Sequence, residues 1–398
     1  MNDPTPGAAL FAALEQDNAA LLDRLLSEGA AVDVRDADGR TPLLVATQKN
    51  ALAMARRLIE AGADVNARDN TQISPYLCAG ANGLHEILAL TLAAGADRLS
   101  VNRFGGTALL PSSEKGYLRT VQLCLKAGIA VNHANKLGWS ALLEAVILGD
   151  GGFLYGDIVA TLIAAGADAE LADRDGKSSQ QHAEALAQPR VLAIFAGHGA
   201  RGGAPDAGAA ALREIRALIG EFSYAQALAV LERDQAAIPD SLAVHYYRGY
   251  LLGELGRHDA ALAEYRQALI ADPEAIEFHF YTANCLRLMK KPDAALAEYD
   301  LAIARQPAKS FHRYHKSNYL RELNRHEQAI AEMDVLLAQQ PQRYDFSFHK
   351  ANSLRSLKRH ADAITAIENA IANDPQNALY HLHKAQSLEL LGAGLATI

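Results

Sequence analysis

The sequence has few cysteines and no strong excess of charge of either sign. Its 398 residues include three cysteines, Cys78, Cys124 and Cys285, and carry a formal net charge of −8. An odd number of widely spaced cysteines makes no disulfide framework and predicts a reducing, cytoplasmic environment. Because no part of the chain is strongly basic overall, we expect no nucleic-acid partner.

Long hydrophobic runs are also missing. No apolar stretch approaches the roughly 20 residues that cross a bilayer. Residues 1–10 lack the basic segment and apolar core of a secretory signal. We therefore expect no membrane partner and no secretory signal.

The signatures of catalysis and metal binding are absent too. There is no nucleophile–base pair, no phosphate-binding loop and no cysteine–histidine cluster, so we predict no enzymatic activity, no cofactor, no metal site and no small-molecule substrate. Three histidines do recur 34 residues apart: His315, His349 and His383. Neighbouring helices lie roughly 10 Å apart, whereas a zinc ligand lies about 2 Å from its metal. This column therefore predicts the polar lining of a groove instead of a metal site.

The first half of the chain contains a repeat. Glycines suited to ending a helix recur in steps of 33, 33, 33, 38 and 33 residues, at Gly29, Gly62, Gly95, Gly128, Gly166 and Gly199. The phrases "TPLL" at 41, "SPYL" at 74, "TALL" at 107 and "SALL" at 140 keep the same register, and their Ser or Thr can cap a helix. A 33-residue unit of a turn and two helices with these phrases resembles the ankyrin repeat.

The resemblance implies six units across residues 1–200, of which the first and last are atypical end caps. One column departs from the family pattern T-P-L-H, because leucine stands at the histidine position in Leu44, Leu77, Leu110 and Leu143. The bracing that this histidine gives in the family does not carry over. Pro111 lies inside the first helix of the fourth unit and is expected to loosen it.

The step of 38 marks five inserted residues between the two helices of the fifth unit. The stretch "GDGGFLYGD", residues 149–157, lacks the G-K-[ST] ending of a phosphate loop, and no strand precedes it. We therefore predict a plain surface loop. A contact loop that uses Phe153 and Tyr155 is the second interpretation, and a catalytic loop is the third.

Ankyrin arrays bind partners through the tips between successive units. Mapping by position places four candidate partner-binding residues at the tips: Arg103, Phe104, Lys136 and Trp139. Trp139 is the only tryptophan. A large aromatic there suits an interface anchor, and it suits packing on the neighbouring tip equally well.

The second half repeats with a different period. Residues 201–210 are rich in Gly and Ala, so we predict a linker between a domain at 1–200 and one at 211–398. Prolines then recur every 34 residues at 239, 273, 307, 341 and 375, and small residues keep that step at Gly249, Ala283, Ser317, Ala351 and Ala385. This pattern resembles the tetratricopeptide repeat, a 34-residue pair of helices. The resemblance implies a degenerate repeat, four full repeats over 242–377 and a C-terminal helix, so the predicted fold class is all-α, with two α-solenoids in one chain.

One stripe recurs on the first helix of these later repeats: an aromatic, then Asn four residues on, then Arg three further. The three sets are Phe280/Asn284/Arg287, Tyr314/Asn318/Arg321 and Phe348/Asn352/Arg355. This spacing places each set on one helix face. Asn can bind peptide backbone, Arg can hold carboxylates, and aromatics offer apolar contact. The stripe therefore predicts a groove for an extended acidic or C-terminal peptide. The alternative is that these Asn and Arg side chains bond neighbouring helices and face water.

These patterns predict a non-enzymatic adaptor for protein or peptide partners. The tetratricopeptide groove would bind a peptide, and the ankyrin face a folded partner. The alternatives are a regulatory or inhibitory subunit of one enzyme, or a secreted effector directed at a host. No polar helix finishes the second array, whose last repeat normally needs a polar outer face, so we expect its C-terminal helix to be exposed, to form a homodimer, or to mark a truncated end.

Overall fold

The structure is a computed structural model that describes residues 6–199, 207–341, 343–373, 375–376 and 378–392. These residues form α-helices, one short 3-10 helix and no β-strand. The chain divides into two compact units, Met1–Ala204 and Pro205–Ile398. None of the described helices is long and apolar enough to cross a bilayer.

The N-terminal unit contains six successive helix pairs, as the 33-residue period predicted. The helices are α1 (Pro6–Glu15), α2 (Ala19–Ser27), α3 (Pro42–Gln48), α4 (Leu52–Glu60), α5 (Pro75–Ala81), α6 (His85–Ala93), α7 (Leu109–Glu114), α8 (Leu118–Lys126), α9 (Ala141–Ile147), α10 (Phe153–Ala164), α11 (Ser179–Ala185) and α12 (Pro189–Gly199). The all-α class predicted from the sequence is confirmed. Gly199 is the last residue of α12, so it does not follow the helix as the other glycines of its series do.

Side-chain caps begin four of the five odd-numbered helices from α3 to α11. The hydroxyls of Thr41, Ser74, Ser140 and Ser178 each accept a hydrogen bond from the N–H three residues on. The Thr107 hydroxyl has no hydrogen-bond partner, and α7 has six residues where α3, α5, α9 and α11 have seven. Pro111 lies in the first turn of α7, where a missing N–H costs little.

A ladder of side chains joins consecutive units where each second helix has ended. Asp33 Oδ1 accepts from the N–H of Asp64 at 3.1 Å, and Asn66 Oδ1 from the N–H of Asp97 at 2.8 Å. Asn132 Oδ1 accepts from the N–H of Asp168 at 2.8 Å. Between Asn66 and Asn132 this column holds Leu99, whose side chain cannot accept a hydrogen bond and which is 80% exposed.

We predict that Leu99→Asn stabilises the N-terminal unit by about 1 kcal/mol, because the new amide oxygen can accept from the N–H of Ala130 as its counterparts do. Urea unfolding followed by the fluorescence of Trp139, the only tryptophan, measures the change. Leu99→Ala is the control, since it removes the same exposed apolar surface without adding an acceptor. Equal midpoints for the two variants would contradict the prediction.

The C-terminal unit continues with eleven further α-helices among its described residues. They are α13 (Ala207–Gly220), α14 (Tyr224–Asp234), α15 (Ser241–Glu254), α16 (His258–Ala271), α17 (Glu277–Leu288), α18 (Pro292–Arg305), α19 (Ser310–Glu322), α20 (His326–Gln339), α21 (Tyr344–Ser356), α22 (His360–Asn373) and α23 (Ala378–Leu390). Because α13 begins at Ala207, the last four residues of the predicted linker 201–210 are helical. Alanine favours a helix, and residues 201–206 lie outside the described residues.

Small residues allow the two helices of each later repeat to approach closely. A Cβ at Gly249 would lie 2.4 Å from the ring of Tyr265, one helix away. In the following repeats Ala283, Ser317 and Ala351 are fully buried at the same position. Aromatic rings then fill the space between consecutive first helices, as in the contacts of Phe280 with Phe311 and of Phe348 with Tyr380. The first helices of successive repeats therefore lie side by side and carry their stripes in register.

Candidate functional site

The glycine-rich insertion of the fifth unit is mostly helix. Helix α10 has 12 residues, whereas α4, α6 and α8 have nine each. The segment that joins it to α9, residues 148–152, is only two residues longer than the segment 115–117 of the preceding unit. Three of the five inserted residues therefore lengthen the helix, and the predicted surface loop is wrong in that part.

The two aromatics predicted for a contact loop are buried in the N-terminal unit. Tyr155 is 0% exposed and its hydroxyl donates to the carbonyl oxygen of Glu114 at 2.7 Å. Phe153 is also buried, and the Arg190 guanidinium carbon lies 3.5 Å from the centre of its ring. The contact-loop interpretation of Phe153 and Tyr155 is wrong, because both side chains belong to the first turn of α10 and pack against neighbouring helices.

The glycines and aspartates of the insertion have structural explanations. A Cβ at Gly149 would lie 2.3 Å from both the Ala145 carbonyl oxygen and the Tyr155 ring. Asp150 Oδ1 accepts from the N–H of Gly152 at 2.8 Å, which shapes the start of α10. Asp157 is buried within α10. Across the described residues, no group of three or more His, Cys, Asp or Glu side chains could hold a metal ion.

One column that the sequence analysis missed shapes every tip of the N-terminal unit. At each position of this column an Asp or Asn side chain accepts hydrogen bonds at Oδ1 from the N–H groups two and four residues further along the chain. The members are Asp36, Asp69, Asn102, Asn135 and Asp173. An Asp or Asn five residues before the Ser or Thr that precedes each first helix was the available signal, and it marks an Asx turn.

Two members of this column also bond a residue of the following helix. Asn135 Nδ2 donates to Glu144 Oε1, and Asp173 Oδ2 bonds His182 Nε2, both at 2.8 Å. Burial raises the pKa of the Glu144 carboxyl well above its usual range, and Glu114 contributes in the same direction. These bonds brace the tips in units whose T-P-L-H histidine is absent.

The four tip candidates lie at or near the surface of the N-terminal unit. Lys136 is exposed, while Arg103, Phe104 and Trp139 are half-buried. The N–H of Lys136 donates to the carbonyl oxygen of Phe104 at 2.9 Å, which joins adjacent tips. The Arg103 guanidinium carbon lies 5.1 Å from the centre of the Phe104 ring. Partner binding by these residues stays a prediction.

In the C-terminal unit the structure separates the aromatics from the rest of the predicted stripe. Phe280, Tyr314 and Phe348 are buried, and each ring contacts the first helix of the next repeat. Their predicted role as apolar contacts for a peptide is wrong. The first helix of a repeat packs against the second helix of the same repeat and against the first helix of the next repeat. A wider face of the helix is therefore buried than in an isolated helix pair.

The Asn and Arg residues of the stripe are half-buried, and in two of the three sets they bond each other. Arg287 Nη1 donates to Asn284 Oδ1 at 3.1 Å, and Arg321 Nη1 donates to Asn318 Oδ1 at 3.2 Å. A donor at Oδ1 fixes the orientation of each amide, so its Nδ2 points away from the guanidinium. The Nδ2 groups of Asn284 and Asn318 have no hydrogen-bond partner in the described part of the chain.

The same arginines reach the following repeat. Arg321 Nη1 donates to His349 Nδ1 at 2.8 Å. Arg355 donates to His383 Nδ1 and, at 2.8 Å, to Gln386 Oε1. His315 and His383 are buried, so the prediction that the histidine column lines a groove is wrong for these two. Arg321 and Arg355 thus bond the neighbouring first helix, as the alternative interpretation of the stripe predicted for its Arg side chains.

The fourth full repeat has a recess between its two helices and the second helix of the preceding repeat. In the three earlier full repeats a glutamate of the second helix bonds a histidine or arginine of the first, in the pairs His245–Glu264, His279–Glu298 and Arg313–Glu332. Ser347 and Ala366 occupy the equivalent positions of the fourth repeat, and both line a cavity of about 290 Å³. The loss of two large side chains explains the recess.

Family models match both halves of the chain. The model described as ankyrin repeats (3 copies) matches residues 1–69, and the tetratricopeptide repeat model matches residues 220–276, 246–310, 314–378 and 348–393. A crystal structure of an ankyrin repeat domain from Acinetobacter baumannii AYE is 49% identical, covering 48% of this chain and 98% of that chain with a TM-score of 0.47. A second ankyrin repeat protein is 37% identical, covering 48% and 97% with a TM-score of 0.47. No curated protein matches the chain.

Proposed function

The chain belongs to the ankyrin-repeat family and carries tetratricopeptide repeats in its C-terminal half, and on that premise we propose that it is a cytoplasmic, non-enzymatic adaptor. Both repeat types are generally protein–protein interaction modules. In this proposal the C-terminal unit binds an extended peptide along its Asn residues, and the tips of the N-terminal unit bind a folded partner. Two binding modules in one chain raise the effective concentration of the second contact.

The observation that carries the proposal is the orientation of the ladder amides. In Asn284 and Asn318 an arginine occupies the carbonyl oxygen, which leaves two N–H donors on each amide. Successive residues of this kind are 34 positions apart on first helices that lie side by side. An extended peptide offers regularly spaced carbonyl oxygens, so such a ladder can hold its main chain without reading its side chains.

The charge of this region favours an acidic ligand. Residues 309–360 hold ten Lys and Arg against five Asp and Glu. A locally positive surface speeds the association of acidic peptides and disfavours basic ones. The three cysteines are free and buried, which is consistent with the proposed reducing compartment.

Peptides that bind the full chain are first selected from a random phage-displayed library. We expect these peptides to bind the variant Asn284→Ala/Asn318→Ala/Asn352→Ala at least about tenfold more weakly than wild type, because each lost hydrogen bond costs about 1 kcal/mol. Fluorescence anisotropy of labelled peptides measures the affinity. The matched control is Gln267→Ala/Gln328→Ala, which changes two exposed amides on the second helices α16 and α20. Peptides that bind all three proteins equally would refute a peptide site at the Asn ladder.

A further inference from the structure

Arg287 and Arg321, two arginines of the predicted stripe, differ in their partners. The guanidinium of Arg321 donates to Asn318 Oδ1 at 3.2 Å and to His349 Nδ1 at 2.8 Å, and both of these acceptors are uncharged. It forms no ion pair with any described residue. The acidic side chain next to it in sequence, Glu322, instead pairs with Arg287 at 2.8 Å.

Most neighbouring cations have an acidic partner. Arg287 pairs with Glu322 and also lies over the Tyr319 ring at 4.6 Å. Other arginines of this unit form the pairs Arg248–Glu264, Arg305–Glu274, Arg313–Glu332, Arg325–Asp293 and Arg343–Asp345. Among the described residues, the positive charge of Arg321 is thus not balanced by an ion pair, whereas each of these other arginines pairs with an acidic side chain.

Arg321 is also partly removed from water, since it is half-buried. Desolvation lowers the pKa of its guanidinium, against the weaker opposing effects of Tyr314 and Glu322. A desolvated cation that lacks an anion is costly, and a carboxylate that reaches it gains a stronger, charge-assisted interaction than it would at a solvated surface. Asn318 and His349 hold one edge of the guanidinium, which leaves other N–H donors of its planar fork for a ligand.

We propose that Arg321 is the carboxylate-binding residue of the groove: it fixes one acidic group of the bound peptide at the third full repeat, beside the amide of Asn318. This inference rests on the proposed function of the Asn ladder. Among the ladder arginines it assigns specificity to Arg321 and not to Arg287, whose charge Glu322 already balances. The recognised chemistry is a single carboxylate, which either an Asp or Glu side chain or a free peptide C-terminus can provide.

The test uses the full chain and a random decapeptide library displayed on phage with free C-termini. Peptides selected on the wild-type chain are synthesised and their affinities measured for Arg321→Gln, Arg321→Lys and the matched control Arg287→Gln. We expect Arg321→Gln to weaken binding at least tenfold and Arg287→Gln less than twofold. Arg321→Lys, which keeps the charge without the planar fork, should fall between wild type and Arg321→Gln.

Each peptide is also made with an amidated C-terminus and with its acids changed to the corresponding amides. The change that weakens binding to wild type but not to Arg321→Gln identifies the source of the carboxylate, and such coupling supports the proposal. Peptides that require Asn318 yet bind Arg321→Gln and wild type equally would overturn this inference and leave the Asn ladder intact. A selection that yields no Asn-dependent peptide would remove both proposals. Circular dichroism shows whether each variant keeps its helices.

Discussion

Replacing Gly149 with alanine is expected to destabilise the N-terminal unit by about 3 kcal/mol, because overpacking a rigid site forces the backbone to shift. The new Cβ would lie 2.3 Å from the carbonyl oxygen of Ala145 and 2.3 Å from the ring of Tyr155. Neither neighbour can move freely, since one is helix backbone and the other is a buried ring whose hydroxyl bonds Glu114. The substitution therefore tests whether the insertion is a packing element or an independent loop.

Trp139 reports this unfolding selectively, as the only tryptophan of the chain. Gly197→Ala is the matched control, since Gly197 lies in helix α12 and a Cβ there would meet nothing within 4 Å. Alanine in a helix is favoured over glycine by about 1 kcal/mol, so this variant should be slightly more stable. If Gly149→Ala unfolds at the wild-type urea midpoint, the insertion is not packed as described.

The second large effect is expected at His312, a buried histidine in an apolar column of the C-terminal unit. The equivalent residues in the neighbouring repeats are Val244, Phe278, Phe346 and Tyr380, all buried. His312 is 1% exposed, and its Nδ1 has no hydrogen-bond partner. Burial, reinforced by the positive charge of Lys309 and by His279, lowers the pKa of His312 to about 3. The side chain is therefore neutral in the folded protein.

The direction of the pH effect follows from proton counting. Below about pH 6.5, the ordinary pKa of histidine, the unfolded chain binds a proton at this position and the folded chain does not until pH falls to about 3. Stability therefore decreases as pH falls through this window, by up to about 1.4 kcal/mol per pH unit from this group. Above pH 6.5 the contribution is constant.

We expect His312→Phe to remove this part of the pH dependence and to raise stability at pH 7 by about 1–2 kcal/mol, since it replaces a buried unpartnered nitrogen with a ring that the column already accommodates. Urea unfolding followed by circular dichroism at pH 7.5 and pH 5 gives the comparison. The difference between the two proteins should be larger at pH 5. An equal difference at both pH values would show that His312 does not titrate as described.

The overall fold was predictable because each repeat carries its own local signals. Caps such as Thr41 and Ser74, closing glycines such as Gly62 and small residues such as Ala283 recur at fixed steps, and each has a physical requirement that few residue types meet. Two independent periods then predicted two solenoids. The periods could not show how the insertion divides between helix and loop, because counting residues does not distinguish a longer α10 from a longer connection.

The candidate site was less predictable, because its properties depend on contacts between repeats. The spacing of Phe280, Asn284 and Arg287 correctly placed them on one face of α17. The first helix of the next repeat then covers the Phe280 ring but does not bury the Asn284 amide. The partner of Arg321 is a histidine one repeat away, and a single helix carries no signal for it. The Asx turns at the tips, such as the one at Asp36, were readable in the sequence but were missed.

The most direct test of the account is a titration of the full chain, labelled with ¹⁵N at asparagine only, with the tightest peptide from the library selection. If the ladder amides hold the peptide main chain, the side-chain NH₂ resonances of Asn284, Asn318 and Asn352, assigned by single Asn→Ala variants, will shift together and saturate at one peptide per chain. If those resonances stay in place while those of tip residues such as Asn102 and Asn135 move, the peptide binds the N-terminal unit and the central claim is wrong.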